Sequence, residues 1–135
     1  MVVLRSAKAV ILDANYHALI LRRSGTHPYA AFEPDLPGGI IEEHETFETG
    51  VIREILEETG IVADVGSLRL LHSSETGLHS QTMYVLHLDA TTPAVTLSRE
   101  HDQYTWVPIA EVGGLERLSQ VAVDFNNEHN AWTQV

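Results

Sequence analysis

Apolar and polar positions divide the chain into stretches of different period. Ala7 to Asp13 is a run of Val, Ile and Leu, Asp13-Ala14-Asn15 supplies turn chemistry, and Ala18 to Leu21 resumes the run, which predicts a β-hairpin. Arg22 and Arg23 then open a polar loop, rich in Gly and Pro, that continues to Leu36-Pro37-Gly38-Gly39 and predicts irregular backbone. From Thr46 to Thr59 the period becomes helical. Phe47, Val51 and Ile55 recur at spacing four, with Ile52 and Leu56 beside them, so all five are expected on one core face. Thr46 is the natural N-cap, Glu48 suits the positive first turn, and Gly60 is the expected stop. Gly50 inside this helix costs up to ~1 kcal/mol relative to Ala, so something else must hold the helix.

Beyond it, Ser67 to His72 and Gln81 to Leu88 read as strands separated by a polar loop with Gly77, and Thr91 to Ala94 is another loop. Tyr104 to Val107 reads as a last strand, and Pro108 opens a short helical turn through Val112, broken by Gly113-Gly114. Leu115, Leu118, Ala122, Phe125 and His129 predict a C-terminal helix over 115–129 that covers the sheet. With no repeat or linker, residues 1–135 read as a single domain of the α/β class.

Composition narrows the function. The apolar share of 44% is that of a folded globular chain, and no apolar run is long enough for a membrane span. Zero cysteines exclude disulfides, thiolate metal sites and thiol nucleophiles. The N-terminus lacks the apolar core of a signal peptide, so a cytoplasmic protein is expected. A net charge of −11 argues against nucleic acid polymers and anionic membranes as partners. The acid is concentrated: Glu42, Glu43, Glu45, Glu48, Glu54, Glu57 and Glu58 lie within residues 42–58 against the single Arg53.

On the helix, Glu54, Glu57 and Glu58 line one edge, and Glu58 overlaps the core arc. Like charges at these spacings cost roughly 0.2–0.5 kcal/mol per pair, and burial of Glu58 costs more unless it is paired or protonated. A hard divalent cation, Mg²⁺ or Mn²⁺, removes both penalties; a solvated acidic face is the plain alternative. The spacing decides between them. Gly39, five residues, Glu45, seven residues, Arg53-Glu54-Ile55, one residue, Glu57-Glu58, one residue and Gly60-Ile61 match the Nudix box at every defined position.

The chain therefore resembles the Nudix hydrolase family, MutT-like members included. The resemblance implies an α/β/α sandwich whose mixed sheet carries the box helix on one side and a C-terminal helix on the other. It implies catalytic roles for Arg53, Glu54, Glu57 and Glu100, with Glu54 and Glu100 as alternatives for the general base. It implies a Mg²⁺ or Mn²⁺ cofactor held by the Gly38 carbonyl and by Glu54, Glu57, Glu58 and Glu100. Gly39, Glu45 and Gly60 become structural, with Glu45 and Arg53 joined by an ion pair. Two features depart from the family pattern near the box: His44 stands where Gly is common, and Gly50 where a small helix former is usual. Glu33-Pro34-Asp35 also lacks the Trp often found before Leu36-Pro37-Gly38-Gly39.

The implied reaction is hydrolysis of a nucleoside diphosphate linked to another group, with a nucleoside triphosphate as the leading substrate. Dinucleoside polyphosphates and nucleotide sugars are alternatives, as is a catalytically silent nucleotide-sensing module. An isomerase of the same fold would need a cysteine. Outside the box, Arg22 or Arg23 either contacts phosphate or is a solvated strand end. Tyr29 and Phe32 either stack on a base or pack under the loop. Among eight histidines without metal-site spacing, His101 is the one to test. A homodimer is the default assembly on general grounds.

Overall fold

A computed structural model describes residues 3–28 and 30–129. Its elements are β1 (Leu4–Leu12), β2 (His17–Arg23), β3 (Pro34–Asp35), β4 (Gly38–Ile40), α1 (Phe47–Thr59), a 3₁₀ turn (Val65–Ser67), β5 (Leu68–Thr76), β6 (His79–His87), β7 (His101–Pro108), α2 (Ile109–Val112) and α3 (Gln120–His129). Seven strands form one mixed sheet. β1 and β6 run parallel over nine residue pairs from Leu4↔His79 to Leu12↔His87, and every other pairing is antiparallel.

Both faces of this sheet are covered, which explains why β1 and β2 read as nearly continuous apolar runs. Because strand side chains alternate, Val10, Leu12, Ala18 and Ile20 point to a core closed by Val112, Leu118, Val121 and Phe125. Ala9, Ile11, Leu19 and Leu21 point to the opposite core, closed by Val51 and Ile55 of α1. The expected sandwich, with a helix layer on each side, is therefore present.

The first hairpin differs from expectation in a way that creates the site. The Asp13 carboxylate accepts from the Asn15 and His17 amides and shapes the turn as its chemistry predicts. Yet β1 and β2 pair with each other only at Leu12↔Ala18. Away from the turn they part and take separate partners: β4 joins β1 at Ala7↔Gly39, and β3 joins β2 at Leu21↔Asp35. Part of the segment read as irregular loop is thus two short strands wedged into the fork. Their ladders are too short to show any period in the sequence.

Helix α1 matches its predicted bounds. Thr46 accepts from the Thr49 amide, the Thr49 hydroxyl accepts from Thr46 N–H in return, and Gly60 ends the helix in the left-handed region at φ 75°. Gly50 is explained by packing, since a Cβ there would run into Ile41. The core face is narrower than expected: Val51 and Ile55 are fully buried but Leu56 is 50% exposed, because the sheet meets only the arc around those two.

β5 and β6 run further than their apolar residues indicate, meeting in a tight turn at Gly77-Leu78 with Gly77 at φ 57°. Polar residues 73–76 conceal an edge strand. The C-terminal helix begins at Gln120 rather than 115. Leu115 and Leu118 pack on the core from the preceding loop, so their helical spacing reflects burial alone.

Candidate active site

The two ends of the box are held by opposite kinds of contact. At the outer end Arg53 is a hub. Its Nε donates to Glu45 Oε2 and its Nη2 to Glu45 Oε1, both at 2.8 Å, while Nη1 reaches Glu54 Oε1 at 3.0 Å and Glu57 Oε2 at 3.2 Å. Nη2 also donates to the Ile40 carbonyl at 3.1 Å. A planar guanidinium matches a carboxylate at two points, so this fork ties the loop to the helix. The hydrogen bonds from Arg53 and from the Glu42 amide hold the Glu45 carboxyl down at about 2, well under its ordinary 4.5.

At the inner end Glu58 is 3% exposed, and among the described residues no arginine grips it. Its Oε1 accepts from the Gly38 amide at 2.7 Å. That contact requires Gly38 to lie at φ 137° against β1, where a Cβ would overlap the Ala7 carbonyl oxygen. Burial pushes the Glu58 carboxyl up to about 9; Lys8 and the Gly38 N–H oppose the shift, while Asp35 and Glu54 reinforce it. Glu54 lies over Gly39 and is also raised, first by burial, against the pull of Arg53 and with the push of Glu57 and Glu100. Glu57 is the outermost of the three, its side chain 56% exposed beside Arg53.

The fork between β1 and β2 opens into a cleft of about 440 Å³ whose walls include Gly38, Gly39, Glu54, Glu58, Glu100 and His101. Two cations border it, Lys8 from β1 and Arg23 from β2. Both are committed to Asp35 of β3: Lys8 Nζ lies 3.0 Å from Asp35 Oδ1, and Arg23 Nη2 lies 3.1 Å from the same atom. Lys8 also donates to the carbonyls of Leu36 at 3.1 Å and Gly38 at 3.3 Å. His101 Nε2 stands 2.9 Å from Asp35 Oδ2. Burial would raise Asp35, but Lys8, His101 and Arg23 together hold it well below the usual carboxylate range.

The family model for the NUDIX domain matches residues 3–127. The chain belongs to the Nudix family. Its relatives include a MutT-like protein of Streptomyces ambofaciens, 30% identical over 116 residues that make up 86% of this chain and 70% of that protein. An ADP-ribose pyrophosphatase of Methanocaldococcus jannaschii is 39% identical over 64 residues, 47% of this chain and 37% of that protein. The crystal structure of a MutT protein from Methanosarcina mazei Go1 superposes with a TM-score of 0.72 at 32% identity, covering 94% of this chain and 92% of that one. The chain is a Nudix pyrophosphohydrolase.

Against this Nudix frame the residues anticipated outside the box divide. Glu100 faces Glu58 across the cleft mouth, on a loop pinned by the Ser24 amide donating to the Glu100 carbonyl at 2.9 Å. Arg23 enters the cleft. Arg22, its neighbour on β2, points to the other face, where it binds Asp102 through Nε and Nη2 at 2.8 Å each and lies 5.3 Å from the Phe32 ring centroid. Arg22 and Phe32 therefore line a separate, mostly apolar groove of about 250 Å³ with Tyr104, outside the acidic cleft. Tyr29 lies outside the described residues. His44 is exposed, 3.7 Å from Glu42, and the Arg53–Glu45 fork forms regardless of it.

Sequence reasoning missed Lys8 and Asp35. The available signals were a lone Lys inside an apolar strand and an Asp directly before Leu36-Pro37-Gly38-Gly39. Among the described residues no helix is long and apolar enough to cross a membrane.

Proposed function

We propose that this cleft hydrolyses the phosphoanhydride bond of a nucleoside triphosphate, releasing the nucleoside monophosphate and pyrophosphate, with Mg²⁺ or Mn²⁺ as cofactor. The observation that carries this reading is the carboxylate set around the inner end of the box, which holds more acid than the cations beside it match. Glu58 is buried with the Gly38 N–H as its one hydrogen-bond donor among the described residues, Glu54 and Glu100 face the same space, Lys8 and Arg23 are bound to Asp35, and of this carboxylate set Arg53 reaches Glu54. Carboxylate and carbonyl oxygens are the donors that hard divalent cations prefer, so the residues present fit the group. Glu54, Glu57, Glu58, Glu100 and the Gly38 carbonyl would hold it.

When bound, such a cation neutralises the diphosphate and lowers the pKa of a coordinated water. The chain supplies the rest. Glu54 or Glu100 takes the proton of the attacking water, each being a carboxylate at the cleft wall. Arg53 keeps Glu54 and Glu57 in place and is a positioning residue.

A second reading, hydrolysis of ADP-ribose or a related nucleotide sugar, is favoured by the 39% identity to the ADP-ribose pyrophosphatase. One assay separates the readings. Product analysis with Mg²⁺ present, over nucleoside triphosphates, dinucleoside polyphosphates, nucleotide sugars and ADP-ribose, is expected to give fastest turnover of a triphosphate to monophosphate and pyrophosphate. Faster cleavage of ADP-ribose to AMP and ribose 5-phosphate would establish the second reading. Turnover of none of them would leave a nucleotide-sensing module.

A further inference from the structure

We propose that His101 is a nitrogen ligand of the cation held at Glu58 and Glu100, so that this centre selects a first-row transition cation over Mg²⁺. The inference rests on the reading of the cleft as a divalent-metal site and specifies which cation it takes.

The imidazole is 4% exposed, and its two nitrogens have different surroundings. Nε2 faces Asp35 Oδ2 at 2.9 Å. Asp35 is itself buried and already accepts from Lys8 and Arg23, so it is an ionised acceptor with no proton to give. Nε2 must therefore carry the hydrogen, and in the neutral ring Nδ1 keeps its lone pair.

Nδ1 is buried without a hydrogen-bond partner among the described residues, and it faces Glu58 Oε2 at 3.8 Å. At 3.8 Å the two atoms are too far apart for a proton on either of them to make a hydrogen bond, so the gap is one that a shared cation fills. A separation of ~3–4 Å is what two atoms bound to one cation at ~2.1 Å adopt. Glu100 completes the group: one donor atom from each of Glu58, Glu100 and His101 lies within 4.8 Å of the other two.

A carboxylate behind the far nitrogen of a ligating histidine is a recurrent arrangement that fixes the tautomer and raises the ligand's basicity, and Asp35 stands in that position. Mg²⁺ has little affinity for imidazole, whereas first-row transition cations accept it readily. The competing description is an imidazolium that bridges Asp35 and Glu58 as a plain ion pair.

The test loads the full chain with Mn²⁺, records pulsed electron paramagnetic resonance for nitrogen hyperfine coupling, and measures Mn²⁺ and Mg²⁺ affinities by calorimetry. Wild type, His101→Gln and His27→Gln are compared, because His27 also borders the cleft. Nitrogen coupling is expected in wild type and in His27→Gln and absent in His101→Gln, where the preference for Mn²⁺ over Mg²⁺ drops about tenfold or more.

Mn²⁺ bound without nitrogen coupling, or coupling that survives in His101→Gln, would overturn the assignment while leaving the cleft a metal site. Failure of wild type to bind either ion would overturn both readings. If His101→Gln does not fold, the wild-type and His27→Gln spectra still decide.

Discussion

Glu45 and Glu58 belong to one motif of one chain, yet their surroundings are opposite. Glu45 sits in a balanced region, gripped at both oxygens by Arg53. Glu58 sits in an unbalanced one, buried beside Glu54, Glu100 and Asp35 with a single backbone donor at 2.7 Å. Elsewhere in the molecule charge is matched where it holds structure, as in the paired Arg22 and Asp102. Ionising a buried carboxyl without a partner is expensive, and groups perturbed in this way cluster at functional sites, where a ligand can supply the missing sign. The comparison separates a half of the Nudix box that ion pairs tie together from a half that, on the function proposed above, holds the cation.

The largest expected effect comes from neutralising the unbalanced side. Glu58→Gln keeps an acceptor for the Gly38 amide but can no longer ionise to hold a cation. Pyrophosphohydrolase turnover is expected to fall on the order of 100-fold, while the metal-free melting temperature does not drop. A stable variant with near wild-type turnover would erase the distinction between the two halves.

Removing the balanced pair should act mainly on stability. Arg53→Ala strips the fork from Glu45 and the contacts to Glu54 and Glu57. About 2 kcal/mol of unfolding free energy is expected to go, at the lower end for charged hydrogen bonds because the pair is partly solvated. Denaturant titration measures it, and an unchanged midpoint would show that the fork holds nothing.

The two carboxylates should also give opposite pH dependences in chelator. Glu45 is depressed to about 2, so its contribution is complete above 4.5 and is lost as pH falls toward 2. Glu58 is raised to about 9, so the folded protein binds the extra proton and stability declines as pH rises from 4.5 through 9. Glu58→Gln should flatten the alkaline limb and Glu45→Gln the acid one. Chemical denaturation across pH checks both, and a single shared window would contradict the comparison.

The smallest effect is expected at the matched surface pair. Arg22→Ala should shift the melting temperature little, and less still in high salt, because Arg22 and Asp102 are both solvated. Arg23→Ala, which strips a buried partner from Asp35, should cost clearly more. Equal costs for these neighbours would show that burial does not separate them.

Much of this was legible in the sequence because it is local. Thr46, Gly60 and the Val51–Ile55 spacing mark α1 without reference to the rest of the chain, and the Nudix box places the carboxylates and Arg53 on it. What escaped is non-local. The same Val-Ile-Leu runs and Asp13 turn would suit a complete hairpin, and the parting of β1 from β2 depends on residues 34–40 arriving between them. Lys8, Asp35 and His101 come from three separate strands, so no spacing links them. Leu56 and Leu115 misled in one manner: an apolar residue at helical spacing need be neither buried nor helical.

Thermal melting of wild type and Glu58→Gln, each in chelator and in saturating Mg²⁺ or Mn²⁺, tests most directly whether the unmatched charge of the cleft is a cation site. Metal is expected to raise the wild-type midpoint by several degrees, since a ligand bound only to the folded state stabilises it, and to leave Glu58→Gln almost unmoved. A wild-type midpoint that is the same with metal and with chelator would contradict the account.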